Sequence, residues 1–75
     1  MKTAIINIHG VHDITQFVEQ ASKVSEPGVT VHRGQTKIDG SSLMGMLALD
    51  TEDAIKVEYP EFAVDFENFI TKFIK

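Results

Sequence analysis

The sequence predicts an α+β fold: an open-faced β-sandwich, with a four-stranded antiparallel sheet covered on one face by three helices in the order β-α-β-β-α-β-α. Three observations carry this. Stretches rich in β-branched residues, or apolar on alternate residues, recur early, midway and late in the chain. Stretches with apolar residues every three or four positions lie between and after them. The connections are short, with no repeat, low-complexity tract or internal linker, so residues 1–75 read as one domain.

Residues 3–8 (T-A-I-I-N-I) read as a strand with Ala4, Ile6 and Ile8 on one side. Residues 9–12 read as a loop turned at Gly10, after which His12 or Asp13 starts a helix. In that helix Ile14, Phe17, Val18 and Ala21 fall at i, i+3, i+4 and i+7. Glu26-Pro27-Gly28 is a turn. Residues 29–33 and 35–38 flank Gly34 as a hairpin. Ser41 or Ser42 caps a short helix that runs to Leu49. Residues 50–53 are a polar loop, and residues 54–59 alternate Ile55, Val57 and Tyr59 with Ala54, Lys56 and Glu58 as a half-buried strand. Pro60 or Glu61 opens the last helix, whose stripe is Phe62, Phe66, Phe69, Ile70 and Phe73. Apolar residues at helical spacing mean core rather than a ligand box, so this stripe is expected to close over the sheet.

Composition narrows the function. A content of 43% hydrophobic residues is enough for a real core in a chain of 75 residues. There is no cysteine, hence neither a disulfide nor a thiol site. The longest apolar run, at 43–49, falls far short of the ~20 residues that span a bilayer. No secretory signal is visible at the start, so the cytoplasm is the expected location. A net charge of −4 argues against nucleic-acid binding and against docking on anionic lipid. No Gly-rich phosphate loop or cysteine nucleophile is present, and Glu52-Asp53 reads as solvated loop charge, so an enzyme is not expected. His9 and His12 have H-x-x-H spacing, which is a weak signal in a loop; no third ligand is evident, Asp13 and His32 being no more than candidates. A structural metal site wants four ligands, so no metal and no cofactor are expected. His32 alternates with Val29 and Val31 and is expected to face outward or lie at an edge.

The richest stretch is S-S-L-M-G-M-L-A-L at 41–49. Leu43, Met44, Met46, Leu47 and Leu49 are more apolar residues than one face of a two-turn helix uses. Such a helix either sinks into a core or shows an apolar knob to a partner; if Met44 and Leu47 are exposed, they form a small adaptable docking patch.

Three stretches, G-V-H at 10–12, Q-A-S-K at 20–23 and S-L-M-G-M-L-A-L at 42–49, together with the element order, resemble the HPr family. These are the small phosphocarriers of the bacterial phosphoenolpyruvate:sugar phosphotransferase system. The third stretch is similar to the family's S-I-M-G-V-M-S-L. The resemblance implies a phosphoacceptor histidine in the first stretch. That residue takes a phosphoryl group from the first enzyme of the system and passes it to sugar permease components. The resemblance also implies a regulatory kinase site at Ser42, as in Gram-positive relatives, and partner docking through Leu43, Met44 and Leu47. The implied partners are phosphotransferase-system proteins or a transcriptional regulator, met by a monomer through the helix at 42–49.

The histidine loop departs from the family's G-[IL]-H-A-R-P-A. His12 follows Gly10-Val11 as the acceptor does, but Asp13-Ile14-Thr15 stand where the family has Ala-Arg-Pro. Two residues are missing between His12 and Q-A-S-K; aligned without that gap, Gly10 falls at the acceptor position and His12 at the arginine position. Both placements are compatible with the sequence. A phosphohistidine carries about two negative charges, which suit free N–H groups at a helix start and an arginine. Here Asp13 opposes them, by on the order of 1 kcal/mol in a wet site. The expected function is therefore an HPr-like docking and regulatory module without efficient histidine phosphotransfer. The alternative is a genuine phosphocarrier with His12 as acceptor. A phosphate on Ser42 would sit at the positive end of the short helix and alter the charge beside the docking patch.

Overall fold

Four short strands pair antiparallel into one sheet in the computed structural model, which describes residues 1–49 and 54–74. They are β1 (Lys2–Ile6), β2 (Thr30–Arg33), β3 (Thr36–Asp39) and β4 (Ile55–Tyr59), in the spatial order β1-β4-β2-β3. Ala4 pairs with Val57 and Val57 with Val31, and Val31 pairs with Ile38, so one apolar row crosses the whole sheet. Because side chains alternate across a strand, that register puts Ile55, Val57, Tyr59 and Val31 on one buried face.

The helices α1 (Gly10–Ser22), α2 (Leu43–Ala48) and α3 (Val64–Ile70), with a 3₁₀ turn at Thr71–Phe73, cover that face. From α1 come Ile14, Phe17 and Ala21, from α2 Met46, and from α3 Phe66 and Ile70, all buried in one cluster with the inner sheet residues. The aromatic rings meet edge to face: Phe66 lies 5.6 Å from Phe17 and 5.6 Å from Tyr59. This is the predicted fold class and element order.

Three boundaries differ from the sequence reading by two residues or more. The first strand ends at Ile6 rather than Ile8, because the chain changes partner there. Ile6 bridges to Ile74, and the Asn7 N–H donates to the Phe73 carbonyl at 2.9 Å. Ile8 is still buried, as its side of the pattern requires. The first helix starts at Gly10, so residues 10–12 are a helical turn rather than a loop. The last helix starts at Val64, not at Pro60 or Glu61. A turn precedes it, closed by the Ala63 N–H on the Pro60 carbonyl at 3.0 Å. Phe62 sits in that turn and is 60% exposed, so it leaves the aromatic stripe, while Phe69 and Phe73 pack partly buried against the core. The polar loop read at 50–53, with Glu52-Asp53, lies outside the described residues.

A polar lock ties β1 and β4 to α3. Both the Lys2 ammonium and the Tyr59 hydroxyl donate to the same Glu67 oxygen, each at 2.7 Å. Burial, then the bond and charge of Glu67, push the Tyr59 phenol up to about 12. A raised phenol contributes stability that is complete below its ordinary value of 10.0 and is lost as pH rises through about 12. Tyr59 is the sole tyrosine and there is no tryptophan, so absorbance titration reads this group directly. The expected result is ionisation well above 10.0, moving down toward that value in Glu67→Gln. Ordinary titration in the unsubstituted chain would refute the lock.

Candidate functional site

Helix α2 is set by its entry. The Asp39 carboxylate at the end of β3 accepts both the backbone N–H and the hydroxyl of Ser41, at 2.9 and 2.7 Å. These bonds, the backbone one first, hold the Asp39 carboxyl below its usual range. Ser42, not Ser41, is the N-cap: its hydroxyl oxygen accepts the Gly45 N–H at 3.2 Å. The glycine of the Met-Gly pair has a local reason. A Cβ at position 45 would come within 3.1 Å of that hydroxyl oxygen, a close approach that glycine avoids.

The helix then splits its apolar residues between two sides. Met46 is fully buried in the core. Leu43, Met44 and Leu47 are 42%, 84% and 46% exposed. Of the two arrangements open to so apolar a helix, the chain adopts both at once: one methionine anchors α2, and the other stands in solvent on the same helix as the exposed Leu43 and Leu47. Ser42 lies half-buried at the head of this patch.

The histidine region is built differently from the sequence reading. His9 is the N-cap of α1, with extended backbone (φ −135°, ψ 133°) and no side-chain capping bond. Gly10 opens the helix at φ +81°, a left-handed conformation that side chains other than glycine disfavour. His12 is the third helical residue, exposed on the first turn. Asp13 does not cap the helix from its start. It stands in the first turn, where an acid suits the helix dipole, and its Oδ2 accepts the His9 N–H at 3.3 Å. The first backbone N–H groups of a helix have no partner within it, and the histidine that precedes them here is His9. Sequence reasoning considered His9 only as a metal ligand. The missed signal was the combination of Gly10 with an acid four residues after His9.

His32 stands on the face of the sheet that no helix covers, in the interior strand β2 rather than at an edge. Its Nε2 pairs with Glu58 of β4, and this bond is the chief cause that keeps the Glu58 carboxyl below its usual range. His9, His12, Asp13 and His32 are thus not gathered: among the described residues, no group of three His, Cys, Asp or Glu side chains is placed to hold a metal ion. No described helix is long and apolar enough to cross a membrane.

No protein-family model and no curated protein matches the sequence. A solved structure does: HPr-C-His from Thermoanaerobacter tengcongensis, with a TM-score of 0.75 and 25% sequence identity, over 93% of this chain and 91% of that one. Strand order, helix placement and chain order all follow from the sheet register and core described above. With a likeness that runs through nearly all of both chains, they give this chain an HPr-like fold and bear out its resemblance to that family.

Proposed function

We propose that this chain is a docking and regulatory protein of a bacterial sugar phosphotransferase system, acting through α2 rather than by efficient histidine phosphotransfer. The observation that carries the reading is the patch of Leu43, Met44 and Leu47, held in solvent beside Ser42 by a helix anchored through Met46. Isolated exposed hydrophobes are ordinary, but three on one six-residue helix form a contact surface. The partner is a protein of the phosphotransferase system, met in the cytoplasm by a monomer; a transcriptional regulator is the other class of partner that such a patch suits. The protein is a binding module, not an enzyme, and needs no cofactor.

Ser42 is the proposed regulatory phosphorylation site. A phosphate there brings about −1.5 to −2 charges at neutral pH. Asp39, held ionised by Ser41 close by in the chain, already makes the entry of α2 acidic. The added charge beside Leu43 and Met44 changes which partner surfaces fit.

The weak link for phosphotransfer is the start of α1. Asp13 bonds the backbone of His9 and stands next to His12 in the chain, where it opposes an added dianion. The second reading, a genuine carrier with His12 as acceptor, draws on the exposure of His12 on the first turn of α1, where helix N–H groups are free. Incubation with phosphoenolpyruvate and the first enzyme of the system separates the two. The expected outcome is no acid-labile phosphate under conditions that charge an ordinary HPr. A label lost in His12→Ala but kept in His9→Ala would establish the carrier. A label lost only in His9→Ala would move the acceptor to the N-cap. Either label would refute the reading preferred here.

A further inference from the structure

We propose that Met44 is a selective peroxide-modification site, and that its oxidation switches off the apolar face of α2. The proposal rests on the docking reading for its consequence, but not for its chemistry. Met44 and Met46 share one short helix and differ as far as two methionines can: 84% exposed against fully buried. A thioether in solvent is open to peroxide, whereas one packed in a core is screened from it. The step is an oxygen transfer. The thioether sulfur attacks one peroxide oxygen, an S–O bond forms, and the O–O bond breaks. Sulfur loses two electrons and becomes the sulfoxide, while the departing hydroxide takes a proton and leaves as water. Thiol-driven sulfoxide reduction reverses the step.

The consequence follows from what surrounds Met44. Met44 shares α2 with the exposed Leu43 and Leu47, and the helix itself carries no acid or base. A sulfoxide converts a flexible apolar side chain into a strongly dipolar one, at the most exposed point of the patch. Met46 stays reduced, so the helix keeps its anchor and the fold is unchanged. The device needs no cysteine, and the chain has none.

The test uses the full chain treated with hydrogen peroxide. Peptide mass mapping is expected to find one added oxygen on Met44 while Met46 remains unmodified. Met1 is also exposed and is read separately in the same map. Hydrophobic-interaction chromatography reports the patch without any partner: oxidised protein is expected to elute earlier, and Met44→Leu to show only the smaller shift that Met1 leaves on the same treatment. Oxidation of Met46 as fast as Met44 in the folded chain, or an equal shift in Met44→Leu, would overturn the proposal. Binding to a phosphotransferase-system protein is expected to weaken about tenfold or more on oxidation. Thiol-dependent sulfoxide reductase should restore it. If the untreated chain binds no such protein, the docking reading falls, and the mapping and chromatography still decide the chemistry.

Discussion

Truncating Phe66 to alanine is expected to cost about 3–5 kcal/mol of folding stability. The ring is 2% exposed and contacts Phe17 of α1 and Tyr59 of β4 edge to face, with Phe69 tilted at 6.5 Å. It therefore joins two helices to the sheet, and its removal leaves a cavity that no single neighbour can fill. A domain of this length has a total stability of roughly 4–11 kcal/mol, at about 0.05–0.15 kcal/mol per residue. The substitution thus removes between about a quarter and all of it. At about 4–8 °C per kcal/mol for small domains, the midpoint of thermal unfolding should fall by tens of degrees. Far-ultraviolet circular dichroism on heating, and urea unfolding, measure this. Phe62→Ala is the paired control. Phe62 stands before α3 and is mostly in solvent, so its loss should stay within about 0.5 kcal/mol. Equal effects at the two positions would mean that the aromatic stripe begins where its spacing suggests, and that the turn at Pro60–Ala63 is wrong.

Replacing Met44 by aspartate is expected to leave the fold intact and to abolish docking. The side chain is too exposed to hold the core, which Met46 does from the same helix. A carboxylate at the centre of an apolar contact must be desolvated without a partner, and truncation-scale losses at such anchors run to about 2–4 kcal/mol. Binding of a phosphotransferase-system protein should accordingly weaken by roughly 30- to 1,000-fold by titration calorimetry. Unfolding should shift by less than about 0.5 kcal/mol. Binding within twofold of the unsubstituted chain, for every phosphotransferase component tried, would refute the proposed function and leave the HPr-like fold untouched.

Much of the fold was legible because the relevant forces act over a few residues. Alternation in Ile55-Lys56-Val57-Glu58-Tyr59 marks a strand with one wet face, and the structure buries the expected side. Ile14, Phe17 and Ala21 turn to the core as their spacing requires. Of the two serines that could cap α2, the structure selects Ser42, with Gly45 supplying the N–H. The misreadings also have local causes. Phe62, Phe66, Phe69 and Phe73 keep helical spacing, but spacing does not reveal a turn closed between Pro60 and Ala63. The start of α1 depends on Gly10 taking a positive φ and on Asp13 reaching back to His9, two small effects that leave no hydrophobic trace.

The candidate site divides along the same line. Which residues are apolar, that a serine can cap, and that an acid follows His12 where the family's arginine is missing are properties of the chain read in order. They were enough to reach the α+β class, the element order and the HPr-like resemblance. Which methionine of α2 faces water, which histidine stands at the mouth of α1, and whether His32 sits at an edge or in the middle of the sheet depended on contacts between distant segments. Burial is a property of the assembled surface: Met44 and Met46 are chemically identical, and only the packing of α2 against the core sets one in solvent and the other out of it.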